Sequence, residues 1–172
     1  MSHNEHPAKG HETREITDPS VDLQAVQVRR VVAGNPNTPK QVLARLATDE
    51  SHEIRRIVSE NPKTGVDVLH KLAYDTHTDV RLAVAENRNT PSETLAILSK
   101  DDHVDVRYGV AENPHMPEQI LFELCQDDNP YVRCRALKTM QALDPDVVTR
   151  MKALLQRVYL GSLNTEYHKE AV

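Results

Sequence analysis

Residues 34–39 read GNPNTP, residues 60–65 ENPKTG, residues 86–91 ENRNTP and residues 112–117 ENPHMP. Each stretch follows the last by 26 positions. A single copy of GNPNTP suits a ligand loop as well as a turn. Four copies at one interval are the punctuation of a repeat. The flanks keep the same period. Arginine stands at Arg29, Arg55, Arg81, Arg107 and Arg133, each preceded by a β-branched residue: Val28, Ile54, Val80, Val106 and Val132. Leucine recurs at Leu43, Leu69, Leu95 and Leu121, and again at Leu46, Leu72, Leu98 and Leu124. Aspartate recurs at Asp49, Asp75, Asp101 and Asp127, and no insertion interrupts any of these columns.

Each unit parses into two helical pieces. Thr38 is placed as an N-cap, with Pro39 at the first helical position and Gln41 as the reciprocal partner of a capping box. Thr64 with Asp67 and Thr90 with Glu93 repeat that logic, and Met116 breaks it. Val42, Leu43, Leu46 and Ala47 then fall at helical spacing, and the helix is expected to end near Asp49. The second piece carries Val28, Val31 and Val32 on one face and stops at Asn35-Pro36, because the residue before proline is pushed out of the α region. At about 7 or 8 residues it is marginal as an isolated helix, and 3₁₀ geometry suits it. No room is left for a strand. One unit buries one face and needs neighbours to cover it, so the spacing predicts an all-α, right-handed solenoid. Its four repeats span residues 28–53, 54–79, 80–105 and 106–131, in layers about 8–10 Å apart. Caps over residues 18–27 and 132–160 complete one domain over 17–160, the second cap including a longer helix from Asp144 to about Leu160. Residues 1–16 and 161–172 read as flexible tails.

The composition agrees with thin layers. Only six residues are aromatic, five Tyr and one Phe, whereas a thick single core draws on large rings. The formal net charge of -5 argues against general affinity for nucleic acid or acidic membranes. Cys125 and Cys134 form no CxxC pair and no disulfide framework, which suits a reducing cytoplasm. The polar start, MSHNEHPAKGHETRE, has no apolar segment of a secretory signal, and no apolar run is long enough to span a bilayer.

The pattern V-R-x-x-V-A-x-N-P-x-T-P-x-x-x-L-x-x-L-A-x-D resembles the leucine-rich repeat variant family, and VRLAVAENRNTPSETLAILSKD at residues 80–101 fits it nearly column by column. The resemblance covers roughly residues 28–136. It implies alternating α- and 3₁₀-helices and a non-enzymatic role. It also implies an association with nitrogen-fixing bacteria, and in the best-known form an iron–sulfur cluster in a cysteine-rich N-terminal extension. Residues 1–27 here contain no cysteine, so no cluster and no other cofactor is expected. HEAT-like repeats, which also place Arg six residues after Asp, are the runner-up family.

Four columns invite a functional reading. The Asp/Arg columns suggest a ladder, each Asp accepting from the next segment's amides and from an Arg in its own or the adjacent layer. Asp49–Arg55, Asp75–Arg81, Asp101–Arg107 and Asp127–Arg133 share one spacing, so each arginine except Arg29 has its own aspartate, which favours the ladder over a phosphate-binding row. Asn35, Asn61, Asn87 and Asn113 favour turns and can also bond between layers. The exposed columns of the second piece read Arg30/Gly34, Arg56/Glu60, Leu82/Glu86 and Tyr108/Glu112. By analogy with other α-solenoids they line the concave face. Leu82 and Tyr108 stand where a merely solvated face would carry charge. Arg30, Arg56, Glu60, Leu82, Glu86, Tyr108 and Glu112 are therefore the candidate partner-binding residues. Scattered apolar exposure is the competing reading.

Charge is polarised along the axis: residues 28–79 carry net +1, residues 80–131 net -6 and residues 132–172 net +3. A partner with a basic patch would be steered to the third and fourth repeats. The nine histidines have irregular or repeat-long spacing, so a metal site is not expected. Cys125 falls in a small core column, and Cys134 shares the column of Tyr108. No nucleophile–base pair stands out to support catalysis. The reading is a non-catalytic, cytoplasmic protein-binding module, with a nitrogenase component or a protein that matures or protects one as the first specific partner. The alternative is a nucleic-acid-binding HEAT-like protein using Arg29, Arg30, Arg55, Arg56 and Lys63.

Overall fold

The computed structural model describes residues 19–146 and residue 149. Among these, the secondary structure is nine α-helices and no strand: α1 (Pro19–Gly34), α2 (Lys40–Leu46), α3 (His52–Glu60), α4 (Val66–Leu72), α5 (Thr78–Glu86), α6 (Ser92–Leu98), α7 (Val104–Glu112), α8 (Glu118–Leu124) and α9 (Pro130–Leu143). The chain is an all-α solenoid. The expected tails, and the helix expected up to Leu160, lie outside the described residues apart from Asp144–Asp146 and residue 149.

The repeat contains two helices, but their lengths reverse the expectation. The leucine-bearing helices have 7 residues and the arginine-bearing helices 9. Both kinds are α-helical, and i to i−3 bonds occur at the helix ends, as in Thr48 N to Arg45 O at 3.2 Å and Asp49 N to Leu46 O at 3.1 Å, and in the turns between helices, as in Thr64 N to Asn61 O at 3.1 Å. The marginal segment is stabilised as α-helix by tertiary packing, which isolated-helix reasoning leaves out. The expected cap over 18–27 and the first arginine-bearing segment are one continuous helix, α1, since neither Gly nor Pro separates them. At the other end α9 runs for 14 residues, because Thr139-Met140 replaces the Asn-Pro step that stops α3.

Asparagine, more than proline, sets those stops. Asn87 is followed by Arg88, yet it takes the same extended backbone (φ −71°, ψ 125°) as Asn61 before Pro62 (φ −68°, ψ 126°). In each turn the Asn Oδ1 accepts from the amide two residues on, Lys63 N, Asn89 N and His115 N, all at 2.9 Å. The threonines do not cap. Pro39, Gly65 and Pro91 occupy the N-cap positions without a side-chain bond. Thr38, Thr64 and Thr90 are buried and donate backwards, to Val32 O at 2.6 Å, Val58 O at 2.5 Å and Val84 O at 2.6 Å. The hydroxyl thus adds a second hydrogen bond to a carbonyl at the end of the preceding helix, which among the described residues otherwise accepts only the C-cap asparagine amide.

The helices form two layers. Each arginine-bearing helix packs along the next, α1 on α3, α3 on α5, α5 on α7 and α7 on α9. The seven-residue helices α2, α4, α6 and α8 touch one another far more sparsely. Crowding in one layer and spreading in the other curves the stack, with the nine-residue helices on the inside. Between the layers lie Leu43, Leu69, Leu95 and Leu121, with Ile54, Val80, Val106, Val58, Val84 and Val110, all at 0% exposure. Each such side chain contributes about 1.5–3 kcal/mol on burial. Val28 and Val31 depart from this pattern at 62% and 64% exposure, because α1 is the first layer of the stack.

Two polar ladders set the register between layers. The Asn61 amide donates to Ala33 O (2.7 Å) and Asn35 O (2.9 Å), reaching back one repeat. Asn87 does the same to Ser59 O (2.6 Å) and Asn61 O (3.3 Å), and Asn113 to Ala85 O (2.8 Å) and Asn87 O (3.4 Å). Thr139, one period after Asn113, ends the series by donating to Ala111 O at 2.6 Å.

The expected ladder forms, each aspartate accepting from an amide of the next segment and from an arginine of its own repeat, but the partner is not the arginine six residues on. Each of Arg55, Arg81 and Arg107 donates to the backbone carbonyl of the aspartate six residues before it. Its fork grips the aspartate side chain twenty residues after it. Arg55 reaches Asp49 O at 2.8 Å and Asp75 at 2.6 and 2.9 Å; Arg81 reaches Asp75 O at 2.8 Å and Asp101 at 2.6 and 3.0 Å; Arg107 reaches Asp101 O at 2.8 Å and Asp127 at 2.7 and 3.1 Å. Arg29 therefore has a partner, Asp49 at 2.8 Å, although its Nε is misaligned for a hydrogen bond. Among the described residues Arg133, at the last repeat, bonds only the carbonyls of Asp127 and Asp128. The remaining oxygen valence of each aspartate goes to the amide two residues on, as at His77 and His103 (2.9 Å each), in line with the sequence expectation. Burial alone would push the Asp75 and Asp101 carboxyls up, but the hydrogen bonds from Arg55 and Arg81 and from those amides hold both below the ordinary range. Asp127 is held down chiefly by its hydrogen bond from Arg107.

Candidate functional site

The ladders consume the arginine and asparagine columns as scaffold, which leaves the inner face of the nine-residue helices. Positions three before, at, and four after the second column share one face of a helix. In α3 they are Glu53, Arg56 and Glu60; in α5 Asp79, Leu82 and Glu86; in α7 Asp105, Tyr108 and Glu112. Six of the seven candidate partner-binding residues lie here, and Arg30 continues the column onto α1.

The two halves of this face differ in chemistry. In the first half each arginine is neutralised. Arg30 pairs with Glu53 of the next layer at 2.9 Å, and Arg56 pairs with Glu60 one turn along its own helix. Arg30, Arg56 and Glu60 are therefore committed within the face. In the second half the middle column turns apolar. Leu82 is half-buried and Tyr108 is 36% exposed. Leu82 reaches this position because the facing residue in the next layer is Gly109: a Cβ there would stand 2.6 Å from Leu82 Cδ1. The glycine has no unusual backbone to support, so close approach is its role.

That arrangement predicts an energetic coupling. With Leu82→Ala present, Gly109→Ala is expected to raise stability by about 1 kcal/mol through helix propensity. In the parent chain the displaced Leu82 should cancel that gain. Thermal unfolding of the four variants gives the coupling directly. Equal effects of Gly109→Ala in both backgrounds would show that Leu82 does not fill this space.

Acids frame the apolar column. Glu112 pairs with Arg135 at 3.1 Å, and Asp105 lies 3.7 Å from His103 Nδ1. Among the described residues Asp79 and Glu86 hold no ion pair. Partial burial, then the like charges of Glu112 and Glu60, push the Glu86 carboxyl above its ordinary range. Asp79, Leu82 and Asp105 line one shallow depression with His77, Thr78 and His103, and the His77 ring stacks on His52 at 4.1 Å. Asp79, Asp105 and the 75%-exposed Tyr131 were missed in the sequence reading. Their signal was present, since they stand one helical turn before the chosen column and share its period.

A family described as leucine rich repeat variant matches residues 26–51 and 78–103. These two segments are similar to leucine rich repeat variant repeats. The two matched segments begin two 26-residue periods apart, on the register that the Asn and Arg ladders impose. No curated protein and no solved structure matches the chain. In these repeats the signature Asn ties adjacent layers and the signature Thr, Asp and Arg tie neighbouring segments, so the variable columns Arg30/Arg56/Leu82/Tyr108 are what distinguishes one repeat's surface from another's.

Other features supply little chemistry. Among the described residues no group of three His, Cys, Asp or Glu is arranged to hold a metal, and no helix is long and apolar enough to cross a membrane. Cys125 lies 3.6 Å from Met140 Sδ, and burial pushes its thiol up; Cys134 is exposed beside the face.

Proposed function

We propose that the protein is a non-catalytic docking module that binds a folded partner protein through the inner face of α5 and α7. The observation that carries this reading is the switch from paired arginines to Leu82 and Tyr108, with Gly109 making room for the leucine. An apolar strip rimmed by polar groups is the composition of an interface centre. The finer reading, an accessory, assembly or protective factor for nitrogenase in a bacterial cytoplasm, rests on the family resemblance. The nucleic-acid reading has less support. Four of the five cations it uses, Arg29, Arg30, Arg55 and Arg56, already hold ion pairs.

Site-specific photo-crosslinking in living cells tests the docking reading. A crosslinker replacing Tyr108 is compared with one replacing Phe122 on the outer layer, which is equally exposed (36% and 37%). Partner adducts are expected at position 108 and not at 122. Adducts at 122 alone, or at neither, would remove the face assignment. Growth with and without fixed nitrogen then tests the finer reading, which falls if the adduct is unrelated to nitrogen metabolism.

A further inference from the structure

The partner's chemistry follows from how charge is balanced on the same face, and the inference rests on that docking reading. Across α1 and α3, acids and arginines on the inner face are matched within the fold. Across α5 and α7 they are not. Among the described residues Asp79 and Glu86 hold no ion pair, and the exposed Glu86 lies among the like charges of Glu60 and Glu112. Among the described residues the α9 side brings Arg135, already paired with Glu112, and Lys138 beyond it. The result is a strip, Leu82 then Tyr108, with a carboxylate one turn before and one turn after each member.

We propose that this strip takes an arginine-bearing segment of the partner protein. A guanidinium can lie on the Tyr108 ring while its N–H groups reach Asp105 or Glu112, two interactions that one planar group satisfies together. A lysine ammonium is more strongly hydrated and cannot make the bidentate, stacked arrangement. Leu82, held flat against Gly109, receives an apolar residue adjacent to the arginine. Glu86 supplies the second carboxylate, and a cation beside it relieves the repulsion from Glu60 and Glu112.

The test uses fluorescent peptides of arginine and leucine in a glycine-serine frame, with lysine or glutamate replacing arginine in matched controls. Binding to the full chain is read by anisotropy. The arginine peptide is expected to bind several-fold more tightly than the lysine peptide, with the glutamate peptide not binding. Tyr108→Ala and Glu86→Gln should each weaken it by about tenfold, and Tyr108→Phe, which keeps the ring, should retain most of the affinity. Unchanged thermal unfolding of these surface variants separates lost binding from lost fold. Equal binding of the lysine or glutamate peptide, or indifference to Tyr108→Ala and Glu86→Gln, overturns the proposal. Its failure is distinguishable from that of the docking reading. A partner crosslinked at 108 with no arginine at the adduct removes only the arginine assignment. Peptide binding here with adducts only at 122 removes only the docking reading.

Discussion

Asn87→Ala is expected to lower the unfolding free energy by about 3 kcal/mol and the melting temperature by about 10 °C. The side chain is 8% exposed and sits at the centre of the stack. Its amide supplies Ser59 O at 2.6 Å, and that carbonyl lies at the end of α3, past the last helical donor. Its Oδ1 satisfies Asn89 N at 2.9 Å, and it also reaches Asn61 O at 3.3 Å. Truncation therefore orphans a buried carbonyl and an amide, each costing about 1–3 kcal/mol, and opens a gap between two layers. Asn35→Ala is the internal control. Asn35 is exposed and, among the described residues, its side chain bonds only Asn37 N at 2.9 Å, so its loss should cost under about 1 kcal/mol. Denaturant unfolding of the two variants checks this. Equal costs would mean that the inter-layer bonds contribute nothing.

Asp101→Asn is expected to cost about 2–3 kcal/mol at neutral pH, and that cost should vanish in acid. Asp101 accepts the Arg81 fork at 2.6 and 3.0 Å with side-chain exposures of only 8% and 17%, so the amide would leave a largely buried guanidinium without its charge partner. The sign of the pH dependence follows from the lowered carboxyl pKa in the folded chain. The stabilisation is fully present above the unfolded carboxylate value of about 3.9 and is lost as pH falls through the lower folded value. Asp75 and Asp127 are depressed in the same direction and add to the same acid slope. Melting temperatures of parent and variant from neutral to acidic pH should converge. A gap that persists at low pH would locate the cost in packing and not in the ion pair.

The ladders show where sequence reasoning succeeds and where it stops. The period, the asparagine turns and the buried leucine and valine columns could all be read from residue types, because each depends on local geometry or on hydrophobicity repeated at one spacing. The arginine partner could not. Arg81 has an aspartate six residues before it and another twenty residues after it, and sequence distance favours the nearer. The fold brings the farther side chain to the fork and leaves the nearer residue only its carbonyl. Thr38 failed for the same reason. Its spacing from Gln41 fits a capping box, yet its hydroxyl turns back to Val32 O, at the end of the preceding helix.

Sequence alone determined that this chain is a stack of identical helical units in an unbroken register, because a fixed period at so many columns admits one solution: each unit covers its neighbour. It also marked Leu82 and Tyr108 as out of place among charged residues. Only the tertiary structure decided that Arg30 and Arg56 are neutralised, that Gly109 seats Leu82, and that Asp79 and Glu86 hold no ion pair among the described residues. Those facts depend on which side chains of adjacent layers meet, and the distance between layers is set by packing, which a linear pattern does not encode.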